Sequence, residues 1–192
     1  MTTRLLVAQL GARMHYAVPR IFYSSGLLEK LYTDLAVSHR SCTLLGHLPV
    51  WLQRAAARLQ SRHVPELPGN CIVPFQTFGL HYAYRVRSAK NSSELTRAYL
   101  WGGEEFCRLV LQHSFGCDTA VYTYNSAGLE LLQRAKACGT AAILEQTIAP
   151  MPIEQALMSE EANAWPGWES CPKTNAYLQA YIEREAGEWS VA

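Results

Sequence analysis

An α/β fold, with helices layered on a mostly parallel central sheet, is what this sequence predicts, and three observations predict it. The stretch Thr119-Ala-Val-Tyr-Thr-Tyr124 is rich in β-branched and aromatic residues, a helical pattern runs from Asn125-Ser126 to Cys138, and after Gly139 comes the run Thr140-Ala-Ala-Ile-Leu144. Strand, helix and strand in that order form a βαβ unit, whose strands lie parallel. Near the amino terminus Leu5-Leu6-Val7-Ala8 is an unbroken apolar run, the pattern of a strand buried on both faces. Finally, 192 residues at 49% apolar and 17% charged suit a soluble domain with one core, so residues 1–192 are read as a single domain.

The elements follow in order. A first strand is expected over Arg4 to Leu10, ended by Gly11. The loop Gly11 to Tyr16 leads into a helix expected from about Val18 to Lys30, with Pro19 in the first turn, where its missing N–H is tolerated. A short second strand is expected over Leu31 to Val37, at or near a sheet edge. From Pro49 to Arg62 the pattern is helical, with Trp51, Leu52, Ala55, Ala56 and Leu59 on one side and Arg54, Arg58 and Arg62 four apart on the other. His63 to Gly69 is turn-rich, and Cys71 to Phe75 reads as a third strand. Helices are expected over Gly79 to Lys90 and Glu94 to His113, the second capped by Ser93. Gly102-Gly103 inside it costs about 1 kcal/mol per glycine against alanine, which signals close packing or a kink. Beyond the βαβ unit come a helix from Pro152 to about Asn163, a turn at Trp165-Pro-Gly-Trp168, and a last helix from Lys173 to Ala192 that places Ala176, Ile182 and Trp189 inward, with Glu183, Glu185 and Glu188 close by.

Composition also excludes function classes. A formal net charge of +1 leaves no electrostatic footprint for wrapping nucleic acid, and none is expected as a partner. The six cysteines contain no C-x-x-C pair and the histidines show no metal spacing beside them, so reduced, mostly buried thiols and no metal are expected. The opening apolar run is too short for a signal sequence and no segment approaches membrane-spanning length, which points to a cytoplasmic protein. The Arg54, Arg58, Arg62 stripe suits peripheral contact with anionic lipid, although a solvated helix face explains it more simply.

Parallel strands deliver their last residues to one edge of the sheet, where open α/β folds bind ligands. Here that edge gathers the Gly11 loop, Asn125-Ser126 and Glu145-Gln146-Thr147. A glycine at the first strand-to-helix turn lets a ligand approach the backbone, and the helix that follows favours an anion. Arg13, His15 and Arg20 lie in or just after the loop and supply cations. One glycine is not G-x-G-x-x-G, and a tight turn with satisfied strand-end polar groups explains the same residues without a ligand.

Three stretches resemble the amino-terminal domain of the group 1 (family 4) retaining glycosyltransferases. Val7-Ala-Gln-Leu-Gly-Ala-Arg-Met-His-Tyr-Ala-Val-Pro-Arg20 is similar to the first strand and cleft loop of a bacterial branch of that family. Leu144-Glu-Gln-Thr-Ile-Ala-Pro150 is similar to a strand-end segment of the same branch, and Glu183-Arg-Glu-Ala-Gly-Glu-Trp-Ser-Val-Ala192 to its E-x-x-E-W-x-x-A helix. The resemblance implies a Rossmann-like three-layer domain, the first half of a GT-B fold, with the chain truncated before a carboxyl-terminal donor-binding domain. It further implies hexosyltransferase-type retaining transfer from a nucleotide-diphosphate sugar to a sugar or lipid-linked acceptor, without a cofactor.

On that resemblance Arg13, His15, Asn125 and Glu145 are the acceptor and cleft contacts, and Gly11 faces the donor phosphates. Glu145 would orient an acceptor hydroxyl and Asn125 would hydrogen-bond a sugar. The family's histidine-rich turn is replaced here by Tyr124-Asn125-Ser126 and Glu145-Gln146-Thr147, so no catalytic residue is carried over. Glu161 and Glu169 reproduce an E-x7-E spacing only across a turn, outside the donor-site context. The chain alone is expected to be inactive, and loss of a second domain would favour self-association through apolar surface near Trp189. The alternative is a non-enzymatic Rossmann-like binding or interaction module. A nicotinamide or flavin dehydrogenase fragment would need the full glycine fingerprint, which Gly11 to Tyr16 lacks.

Overall fold

A computed structural model describes residues 4–37, 57, 59–114, 116, 119–168 and 175–192. The greater part of the helix expected over Pro49 to Arg62, including Arg54 and Arg58, lies outside these residues, as do Cys42, Cys117, Asp118, Glu169 and Cys171. Ala57, Leu59 and Gln60 are helical.

Five strands form one sheet: β1 (Leu5–Gln9), β2 (Leu28–Thr33), β3 (Ile72–Pro74), β4 (Ala120–Tyr124) and β5 (Ala142–Glu145). Their order is β3-β2-β1-β4-β5, and every neighbouring pair is parallel. The chain therefore winds outward from β1 in one direction and then returns to β4 on its other side. With helices flanking this all-parallel sheet, the fold is α/β and Rossmann-like, as the sequence leads one to expect.

β1 is central, and all five of its residues are buried. Alternation along a strand sends neighbours to opposite faces. Leu6 and Ala8 join Tyr32 and Val121 under Phe78, Phe106, Val110 and Leu131. Val7 and Leu31 face the other way, toward Tyr16, Leu28, Val64 and Leu67. β3 is an edge strand, which is where the ladder can accept Pro74 without a missing donor.

The helices are α1 (Ala17–Ser24), α2 (Gln76–Ser88), α3 (Ser92–Ser114), α4 (Leu129–Cys138), α5 (Met151–Ala164) and α6 (Leu178–Val191), with 3-10 turns at Arg13–Tyr16 and Gly69–Cys71. α1 stops well before the expected Lys30, because Gly26 takes the left-handed conformation at φ +69° and turns the chain into β2 three residues ahead of Leu31. β2 lies next to the edge strand β3, near the sheet edge as expected. The cap of α3 is Asn91 instead of Ser93: Asn91 Oδ1 accepts from the Glu94 N–H at 2.9 Å, while Glu94 Oε2 accepts from the Lys90 N–H at 2.8 Å. This is close to a capping box, shifted to the residue whose side chain reaches the third helical N–H.

Of the two explanations for Gly102-Gly103, close packing is the one observed. A Cβ on Gly102 would lie 2.3 Å from the Tyr82 ring and one on Gly103 2.1 Å from the Ser126 carbonyl oxygen. The expectation for α6 is corrected: Ala176 and Trp189 are exposed, Ile182 is half-buried, and the buried residues are Tyr181, Arg184, Glu185 and Glu188. Polar groups point inward there because backbone N–H groups of other elements wait for them.

The expectation of reduced thiols holds for Cys71 and Cys107, which are free. Cys138 is disulfide-bonded, which corrects it for that residue. Sequence spacing was the wrong guide, since a disulfide requires only that two Cβ atoms meet in space. Among the described residues no helix is long and apolar enough to cross a membrane.

Candidate functional site

The strand order reverses between β1 and β4, and at such a point the loops after the two strands splay apart and leave a crevice beyond the carboxyl edge of the sheet. The crevice is present, with a volume of about 930 Å³. Gly11 and Arg13 from the loop after β1, Asp34 from the end of β2, and Asn125 and Ser126 from the end of β4 are all in its lining.

The loop after β1 is held from within. Gln9 is fully buried, and its Nε2 donates to the carbonyls of Gly11 at 3.0 Å and Arg13 at 3.1 Å. Gly11 has φ +91°, and its N–H donates to Asp34 Oδ1 at 3.1 Å. Met14, His15 and Tyr16 follow with φ of 46°, 48° and 60°, three successive left-handed residues that each cost about 1–2 kcal/mol against ordinary helical backbone. Tyr16 anchors the far end of the turn: it is fully buried and its hydroxyl donates to the Leu35 carbonyl at 3.0 Å. Burial pushes that phenol above its usual range.

Asp34 is the hub of this side. Besides Gly11 it accepts from Arg62 Nη1 at 2.8 and 3.0 Å and from Thr33 Oγ1 at 3.1 Å. Its charge is thus neutralised inside the protein. An acidic residue ending the second strand was the one signal in the sequence that could have marked it, and Arg62 could be read only as part of a stripe.

On the β4 side Asn125 is almost completely buried, and its Oδ1 accepts from Thr147 Oγ1 at 2.9 Å and the Thr147 N–H at 3.3 Å. Arg13 Nη1 donates to the same Thr147 hydroxyl, and its guanidinium lies 5.1 Å from the centre of the Tyr124 ring. Ser126 has φ +72° and is gripped by α6. Its N–H donates to Glu188 Oε2 at 2.8 Å, its carbonyl accepts from Arg184 Nε at 3.2 Å, and its hydroxyl pairs with Tyr181. The other Glu188 oxygen accepts from the Gly128 N–H at 2.9 Å, just ahead of α4, and Glu185 Oε2 accepts from the Met151 N–H at 2.9 Å at the start of α5. The two glutamates of the E-x-x-E-W segment thus satisfy N–H groups at the entrances of two helices.

Burial pushes the Glu188 carboxyl above the ordinary carboxylate range, although the N–H groups it accepts and the charge of Arg184 pull it back in part. Burial also pushes Glu130 upward, but the Arg184 guanidinium, bonded to both of its oxygens at 2.7 and 2.8 Å, outweighs this and holds it low.

Of the residues singled out in the sequence, Gly11, Arg13 and Asn125 line one crevice. His15 is exposed on the strained turn and Glu145 is half-buried on β5; neither is among the crevice-lining residues. Glu145 instead accepts a hydrogen bond from the Tyr122 hydroxyl, and burial together with that bond pushes the Tyr122 phenol up. Arg20 pairs with Glu66 on the surface. Among the described residues no three His, Cys, Asp or Glu side chains gather into a metal site. Among the crevice residues that sequence reasoning missed are Asp34, Tyr82, Arg87, Tyr99 and Tyr181. All of them depend on long-range packing.

No protein-family model, no curated protein and no solved structure matches this chain. The crevice itself therefore carries the functional reading. It offers the guanidiniums of Arg13 and Arg87 at the switch point, and among the described residues no nucleophile is paired with a base. That equips it to hold and orient an anionic or hydroxyl-bearing ligand.

Proposed function

We propose that the chain is the acceptor-side half of a retaining glycosyltransferase, with transfer from a nucleotide-diphosphate sugar requiring a second, donor-binding domain. The observation that carries this is the meeting of Gly11, Arg13 and Asn125 in one crevice at the switch point of a parallel sheet. In retaining transfer the departing diphosphate gathers charge, and cations and N–H dipoles fixed in place beforehand stabilise it. On the acceptor side of the crevice Arg13 is held in place by Thr147 and the Tyr124 ring. Asn125 would present its amide to a sugar hydroxyl.

The test has two parts. Purified chain incubated with a panel of nucleotide-diphosphate sugars is expected to show neither hydrolysis nor transfer, and crystals soaked with an acceptor analogue are expected to show it against Arg13 and Asn125. Turnover by the chain alone, or an analogue bound only elsewhere, would overturn the assignment.

A binding module without transfer is the second reading. It is favoured by the internal partners of Asp34 and Asn125, whose carboxylate and amide oxygens are already engaged by Gly11, Arg62 and Thr147.

A further inference from the structure

One wall of the crevice differs chemically from its floor. Leu80, Ala83 and Val86 line it from α2, joined by Leu59 and Ile148. Leu80 and Ile148 are 61% and 54% exposed, so apolar surface is held open to solvent beside a polar floor. A sugar seeks a hydrogen-bond partner for each hydroxyl, and these five side chains offer none.

The charge is equally one-sided. Asp34 is the one carboxylate among the described lining residues, and Arg62 neutralises it. Arg13 and Arg87 also line the crevice, and neither has a carboxylate partner among the described residues. Two uncompensated guanidiniums attract an anion, and a planar fork of donors suits a phosphate. The volume of about 930 Å³ lies near the top of the range of roughly 300–1,000 Å³ for small-ligand pockets, roomier than one sugar ring needs.

We propose that the crevice binds a single-chain anionic amphiphile, with its phosphate held by Arg13 and Arg87 and its hydrocarbon body along Leu80, Val86 and Ile148. The role of this ligand as an acceptor rests on the glycosyl-transfer reading above; its binding does not. Inorganic phosphate or a sugar phosphate would leave the apolar wall unused, and an uncharged glycolipid would leave the arginines unused.

Calorimetric titration of the purified chain with decyl phosphate below its micelle concentration, beside inorganic phosphate and decyl glucoside and without any nucleotide sugar, separates these cases. Decyl phosphate is expected to saturate at one site and to bind at least about tenfold more tightly than either comparator, as one charge-assisted contact or a few buried methylenes would dictate. Arg87→Glu and Leu80→Asp, both at exposed positions, should each weaken it by about tenfold or more. Trp168→Asp, at an exposed residue outside the crevice, should leave it unchanged. Equal binding of inorganic phosphate or of decyl glucoside, indifference to the two crevice substitutions, sensitivity to Trp168→Asp, or no saturable binding would each overturn the proposal. A failed titration would leave transfer to another acceptor standing, and failure of the transfer reading would leave a successful titration standing.

Discussion

Glu188 is fully buried, with its two oxygens on the N–H groups of Ser126 and Gly128. Glutamine at this position keeps one acceptor and turns an amide toward the other N–H, so Glu188→Gln should cost about 1–3 kcal/mol at neutral pH in urea unfolding. Its pH dependence has a definite sign. The folded-state pKa of Glu188 lies above the unfolded value, so the native state binds more protons in the window above pH 4.5 and the contribution of this group falls as pH rises through it. Glu130 has the opposite sign: its folded-state pKa is lowered, so its contribution is complete above pH 4.5 and is lost as pH falls below that value. Stability of the wild type relative to Glu188→Gln should therefore decline as pH rises above 4.5, and relative to Glu130→Gln it should decline from pH 4.5 downward. A flat difference in either series would contradict these assignments.

Helix ends and helix contacts give the element-scale expectations. Asn91→Ala removes the side chain that caps α3 and should cost about 1 kcal/mol, whereas Ser93→Ala, at the residue the sequence pattern favours, should cost close to nothing. Gly103→Ala drives a methyl onto the Ser126 carbonyl and should destabilise by about 1–3 kcal/mol, measurable by the shift in urea midpoint. The elements legible in the sequence were those announced by local pattern. β1 shows as an unbroken apolar run and β4-α4-β5 as a change of period ended by Gly139, because each depends on residues within a few positions. The inward face of α6 was not legible. Hydrophobicity selects Ile182 and Trp189, while the fold selects Arg184 and Glu188, whose partners at Glu130, Ser126 and Gly128 lie more than fifty residues away. The site divides in the same way: Gly11 and Asn125 were readable as strand ends, while Asp34, Arg62 and Arg87 converge only through the packing of β2 and α2.

For the whole molecule the strand order ranks local stability. β1 and β4 are paired on both sides and packed on both faces, while β3 and β5 are edges. Amide exchange should be slowest at Leu6 to Ala8 and Val121 to Thr123 and several-fold or more faster at Ile72 and Val73, as read residue by residue in native-state hydrogen exchange. Uniform protection across the five strands would refute this ranking.

The grip of α6 on Ser126 also has a consequence for biosynthesis. A chain emerging from the ribosome builds its amino-terminal parts first. The sheet's central pairing of β1 with β4 can form once Tyr124 is out of the exit tunnel, yet Glu188, which fixes the loop after β4, is translated 62 residues after Ser126. During that interval the nascent protein has a sheet whose loop after β4 is still unheld, and the loop takes its final form only when α6 has been made.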